Sequence, residues 1–259
     1  MESYKMYCIV ANFGDDSVAL IQWFKEKKNI KENPIVLYVK TGWEAESWIK
    51  RINIAKSWLK ESNFKFFCIK SESKFSSLVK ARKHFPSKKL NWCTTYLKGF
   101  TILDWLDKFD PYFKCIITLP HRMEMTCGFK KESSFLYKRE KKNYIKNFRN
   151  FDERTIFFPI ISLKKKERDN LILKTPFKKA LNHRSLECHP CIHSIPCEKN
   201  TMTSMEIKRI SDLEKELKSY MFNNKSFKNF TSSPTSTEKK MNYYESFEKS
   251  CGWFYGCGL

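Results

Sequence analysis

Glycine is scarce, at 7 residues in 259, and arginine supplies only 9 of the 49 basic side chains. The few glycines exclude the two commonest phosphate-loop signatures. No Gly-Lys-Ser/Thr forms a Walker loop, and the first strand is followed by one glycine, Gly14, where a dinucleotide fingerprint needs three. Long apolar runs are also missing. None approaches the roughly 18 residues of a membrane span, which excludes an integral membrane protein. The apolar stretch after Met1–Lys5 is short and runs into Asp15-Asp16, unlike a signal peptide, so a cytoplasmic protein is expected. Ten cysteines without a secretion signal argue against a disulfide scaffold. No internal repeat is present.

The chain does have charge and aromatics. Lys+Arg number 49 against 28 Asp+Glu, a formal net charge of +21. Richness in Lys, Asn, Ile and Phe suits an AT-rich genome, so the charge has a compositional reading. It has a functional one too, attraction to polyanions such as nucleic acid or a multiply charged nucleotide. Hydrophobic residues at 41% suffice for a sizeable core.

Tyr7–Ala11, Ile35–Val39, Phe64–Ile69 and Lys114–Leu119 read as buried strands. Helical spacing follows Ser17, runs from Trp48 to Leu59 and from Leu97 to Phe109, and returns from Glu206 to Tyr220, with a charged helix start at Lys164. Strands alternating with helices imply a parallel twisted sheet flanked by helices. Lys130–Lys146, with seven basic and two acidic residues, reads as an exposed loop or solvated helix, and Asn223–Lys240 as a loop or linker. The expected organisation is an α/β nucleotide-binding domain over 1–180 and a Cys-rich helical extension over 181–259.

Ligands of such sheets bind at the carboxyl ends of the strands. Asn12, Phe13, Gly14, Asp15, Asp16 and Ser17 lie at one such end, and Thr41, Gly42 and Trp43 at another. The first loop opens a helix, where backbone N–H groups can bind phosphate. Ser17 adds a hydroxyl, and Asp16 either orients the loop or holds Mg2+. An ordinary capped turn has the same look. Cys188-x-x-Cys191 places two thiolates on one metal or cluster edge, and Cys251 with Cys257 can complete four ligands. Cys197, His189 and His193 are competing donors. Spacing alone does not choose between an Fe–S centre and Zn2+. Cys93 reads as a thiolate nucleophile, a cluster ligand or a small core residue.

Taken in order, these segments resemble the PAPS reductase family of the PP-loop, adenine-nucleotide α-hydrolase-like superfamily. The loop resembles Ser-Gly-Gly-x-Asp-Ser. Thr41-Gly42-Trp43 is similar to an Asp-Thr-Gly turn, and Asn91–Lys98 to an Arg/Trp-Cys-Thr-x-x-Leu-Lys element. His121–Glu124 sits where the family has Gly-x-Arg-Arg-x-Glu, and Cys188–Ile192 looks like Cys-x-Pro-Cys-Ile. The closing Cys251 and Cys257 resemble the cysteine pair of a phage and bacterial branch. Asn12, Phe13, Lys40 and His121 depart from the pattern.

The resemblance implies a PP-loop fold binding ATP or PAPS. Cys93, Lys98 and Arg122 are then the catalytic candidates, and Cys188, Cys191, Cys251 and Cys257 ligands of a [4Fe–4S] cluster. It further implies reductive sulfonucleotide cleavage with a thiol reductant such as thioredoxin. Two alternatives stay open. One is an ATP-dependent sulfur transferase acting on nucleic acid, in DNA phosphorothioation or tRNA thiolation. The other is a catalytically degenerate nucleotide- or nucleic-acid-binding module with a structural metal.

Overall fold

A computed structural model describes residues 6–27, 34–87, 91–122, 144–148, 153–194 and 202–222. Cys127, Cys197, Cys251, Cys257, Met123, Glu124 and the Asn223–Lys240 segment lie outside the described residues. Among those described, no helix is long and apolar enough to cross a membrane.

Continuous apolar runs make the central strands, because a strand of a parallel sheet is buried on both faces. In chain order they are β1 (Met6–Val10), β2 (Ile35–Lys40), β3 (Lys65–Lys70), β4 (Cys115–Thr118), β5 (Tyr144–Phe148) and β6 (Arg154–Phe157). The sheet order is β3-β2-β1-β4-β6-β5. The first five of that order are parallel, with Cys8 opposite Ile35 and Ile117, and Ile117 opposite Ile156. The α/β parallel sheet expected from the pattern is thus the one formed. β5 pairs antiparallel to β6 at the edge, so Tyr144–Lys146 belongs to a strand and not to a loop or solvated helix.

The helices are α1 (Asp15–Glu26), α2 (Glu46–Glu61), α3 (Phe75–Arg82), α4 (Trp92–Thr94), α5 (Phe100–Phe109), α6 (Lys165–Leu173) and α7 (Ser204–Leu217). A π-helical turn, Thr95–Gly99, joins α4 to α5. Thr203 caps α7: its hydroxyl accepts from Glu206 N at 3.3 Å, while Glu206 accepts from Thr203 N at 2.8 Å.

By contacts the chain divides into two units. The first comprises Met1–Val39, Ile49–Ile69 and Leu103–Ser185; the second comprises Lys40–Trp48, Lys70–Ile102 and Leu186–Leu259. The first unit holds the sheet core, with Ile9, Val36, Tyr38, Leu20, Trp58 and Ile172 in one buried cluster. At its base Arg154, wholly buried, bonds Asp110 at 2.8 Å and Asp107 at 2.9 Å, and Asp110 also accepts from the backbone of Lys114 and Cys115. The second unit has its own core, in which Trp43, Phe75, Trp92, Leu97, Ile210 and Met221 pack together.

Candidate functional site

In the first unit, β1 has β2 on one side and β4 on the other, so the strand order reverses at β1. Crevices at such switch points are where open α/β sheets take ligands. The loop after β1 opens here into α1. Asn12 organises it: its Oδ1 accepts from Gly14 N at 2.9 Å and from Ser17 Oγ at 3.0 Å, and its Nδ2 donates to Ser185 Oγ at 3.3 Å. The Ser17 hydroxyl also lies 3.0 Å from Gly14 O. Its one proton is therefore held within the loop.

Phe13 adopts φ 58°, the left-handed region. That conformation costs a non-glycine residue ~1–2 kcal/mol. The ring is wholly buried against Tyr38 and Phe66, which returns ~2–3 kcal/mol of apolar burial. Phenylalanine therefore stands where the Ser-Gly-Gly-x-Asp-Ser motif that the loop resembles has glycine, without its ring filling the mouth of the loop. Arg51 Nε holds the Phe13 carbonyl at 2.7 Å. At Gly14 space matters, not φ: a Cβ there would lie 3.1 Å from Asn12 Oδ1.

The two loop carboxylates are neutralised. Arg122 Nε donates to Asp16 Oδ1 at 2.6 Å, and Arg168 lies 3.5 Å from Asp16 and 3.7 Å from Asp15. Asp15 also accepts from Leu181 N at 3.1 Å. Burial raises the Asp15 carboxyl above its ordinary range, opposed by the Leu181 amide and Arg168. Burial works against the Arg168 charge, but Asp16 and Asp15 hold its guanidinium above the ordinary range. An Asp16 clamped by two guanidinium groups does not fit a Mg2+ ligand. His121 packs edge-on to Phe158 at 5.7 Å, and burial pushes its imidazole down to about 4, with Asp16 opposing. Sequence reasoning named Arg122 a catalytic candidate, and its guanidinium bonds Asp16 beside the loop. It missed Arg51, Arg168 and Ser185, for which no spacing signal exists.

In the second unit, Gly42 takes φ 74°, a conformation glycine allows, in the turn after β2. Thr41 N donates to Glu44 at 2.6 Å. Trp43 packs between Phe75, 4.7 Å from its ring, and the Arg209 guanidinium, 3.9 Å away, and its indole N–H donates to Pro190 O at 3.0 Å. Trp43 is thus a core residue at the edge of a cleft.

That cleft is small and partly open to solvent. Trp43, Phe75, Cys93, Lys98, Cys188 and Cys191 are among its lining residues. Thr94 also lines it, and its buried hydroxyl has no hydrogen-bond partner among the described residues. Two motifs distant in sequence therefore meet. Lys98 Nζ pairs with Glu187 at 2.7 Å, and His193 Nε2 lies 3.0 Å from Asn91 Oδ1. Cys93 occupies the first turn of the helix that runs on to Phe109, where backbone N–H groups favour negative charge. Cys93 and Cys191 are buried and Cys188 is half-buried. Among the described residues, no group of three or more His, Cys, Asp or Glu side chains is arranged to hold a metal ion. The donors present are soft sulfur, which suits Fe–S or Zn2+ chemistry, and Cys251 and Cys257 lie outside the described residues.

No family model and no curated protein matches the sequence. Solved structures do. The NMN synthetase of Francisella tularensis is 10% identical, with 90% of each chain covered and a TM-score of 0.49. The U34-tRNA thiolase of Methanococcus maripaludis, solved with its [4Fe–4S] cluster, is 16% identical over 83% of this chain and 68% of its own, TM-score 0.45. The PAPS reductase of Candida auris, a phosphate complex, is 9% identical over 68% of this chain and 76% of its own, TM-score 0.44.

Proposed function

We propose that this chain is an adenine-nucleotide-binding enzyme of the PAPS reductase family that cleaves a sulfonucleotide reductively. The observation that supports it most is the shared cleft of Cys93, Lys98, Cys188 and Cys191. It gathers thiols, one ammonium group and an unpartnered hydroxyl within mostly apolar walls.

The Asn12–Ser17 loop binds the nucleotide phosphate through backbone N–H groups at the start of α1, and Thr41-Gly42-Trp43 forms the second nucleotide turn. In the cleft, the Cys93 thiolate attacks the sulfur of the sulfonucleotide. A sulfur–sulfur bond forms, the sulfur–oxygen bond to phosphate breaks, and the nucleotide leaves with the electron pair. Lys98 offsets charge on the sulfuryl oxygens, which requires Glu187 to yield its partner. A second thiolate, from a reductant such as thioredoxin, attacks the Cys93 sulfur. Sulfite leaves, and the two thiols end as a disulfide. Cys188, Cys191, Cys251 and Cys257 would hold a [4Fe–4S] cluster or Zn2+; a bound cluster supplies an electropositive, redox-active centre.

A second proposal, ATP-dependent sulfur transfer to nucleic acid, is favoured by the net charge of +21. Purified protein given PAPS and reduced thioredoxin should release sulfite. Pyrophosphate released from ATP instead would select sulfur transfer. Release of neither, with nucleotide still bound, would leave a degenerate binding module.

A further inference from the structure

From Ser73 to Ile102 the chain carries seven basic residues and no acidic one. The whole run belongs to the second unit. Lys98 and Lys80 are engaged with Glu187 and Glu216. Lys74 and Lys83 are exposed, Lys83 closing α3 in the left-handed region at φ 57°. Arg82 stands against two rings, its guanidinium carbon 4.8 Å from the Trp92 centroid and 4.7 Å from that of Tyr96. Tyr96 meets Phe100 edge-on at 5.3 Å. Both remain in water, Tyr96 37% and Phe100 44% exposed.

Exposed rings, a ring-stacked guanidinium and exposed ammonium groups together match one kind of partner. Unpaired bases offer flat faces to the rings, and their phosphates meet the cations. A duplex hides its base faces, and an acidic protein segment answers the charges but brings few planar groups. We propose that Tyr96 and Phe100, flanked by Arg82 and Lys83, form a docking platform for single-stranded nucleic acid. The platform goes beyond the nucleotide loop and the thiol cleft and does not depend on either.

Fluorescence anisotropy with a labelled single-stranded oligonucleotide tests it, with RNA, DNA and duplex arms. The single strand should bind more tightly than a duplex of the same sequence. The double variant Tyr96→Ala/Phe100→Ala should weaken it by about tenfold or more, the scale of lost base stacking. Lys83→Glu should lower the salt slope by about 0.7 or more. Thermal melts check that the variants fold. Where the aromatic variant does not, ultraviolet cross-linking of the unmodified protein to a bromouracil-substituted oligonucleotide serves, with cross-links expected at Tyr96 or Phe100. Unchanged affinity in the folded double variant overturns the platform. So do cross-links confined to other residues, or concentration-dependent self-association abolished by the same substitutions.

Discussion

Lys98 Nζ lies 2.7 Å from Glu187 Oε1, with the two side chains only 12% and 7% exposed. The pair ties the turn that follows Cys93 to the residue that precedes Cys188. Asn91 and His193 repeat the tie one step further out on each motif. The cleft's thiols are therefore gathered by charge and hydrogen bonding among residues that are not thiols.

Removing one partner of a buried pair strands the other charge, at a cost of about 3 kcal/mol. Lys98→Ala and Glu187→Ala should each lower stability by about that much. The double variant should cost less than the sum, because it leaves no stranded charge. Urea denaturation of the four proteins checks this. Additive losses would mean that the two groups are not coupled.

The nucleotide loop gives a second expectation. Ser17→Ala removes a hydroxyl donor that can turn from Asn12 Oδ1 to a phosphate oxygen, and adenine-nucleotide affinity should fall by about 1 kcal/mol or more. Asn12→Ala removes the acceptor that holds both Gly14 N and Ser17 Oγ. It should lower both affinity and stability, the latter by about 1 kcal/mol. Calorimetric titration with ATP and PAPS measures the first effect and a thermal melt the second. Unchanged affinity in both variants would remove the loop from the binding site.

Much of this was legible in the residues, and what was not has a physical reason. β1, β2 and β4 announce themselves because strands buried on both faces must be apolar throughout. β5 did not, since Tyr144–Phe148 sits in a Lys-rich stretch and pairs only at a sheet edge. α3 is eight residues long, and only Phe75 and Val79 of it are buried, too short a period to stand out. Phe13 was legible as a departure from the motif, but not that its ring turns into the core, which depends on Tyr38 and Phe66 far along the chain. The ion pairs of Asp15 and Asp16 were invisible because Arg122 is 106 residues from Asp16, and one cation among 49 carries no pairing signature. The cysteine motifs were legible as separate pieces, but not the cleft that joins them.

His121 should make stability depend on pH. Its folded value of about 4 lies below the ordinary 6.5, so the unfolded chain binds a proton first as the pH drops. The stability this contributes is complete above pH ~6.5 and is lost toward pH ~4, on the order of 3 kcal/mol. Asp15 acts the other way near the acid end, because its folded carboxyl is raised above 3.8 and protonation favours the folded form there. Urea midpoints at a series of pH values should fall from pH 6.5 to 4, and His121→Gln should flatten that fall. An equal slope in the variant would show that another group titrates.

Metal binding is the expectation with the most distinct readouts. Cys191 is buried and Cys188 half-buried, both on the cleft that Cys93 also lines. A Cys-x-x-Cys turn supplies two donors, while a tetrahedral centre needs four. No third donor joins them among the described residues in an arrangement that would hold a metal. On the proposed reading the other two donors are Cys251 and Cys257, the remaining close pair of the chain, which lie outside the described residues. Anaerobically purified protein should carry stoichiometric iron and sulfide, with broad absorbance near ~400 nm, or else colourless zinc. Cys188→Ser and Cys257→Ser should each lose the metal, whereas Cys68→Ser, at an exposed position, should keep it. Because ligand binding adds to folding energy, a chelator should also make the C-terminal region more sensitive to protease, and metal should restore it. Full metal content in a Cys251→Ser/Cys257→Ser double variant would overturn the four-cysteine set, leaving Cys93 or Cys197 to supply the missing donors.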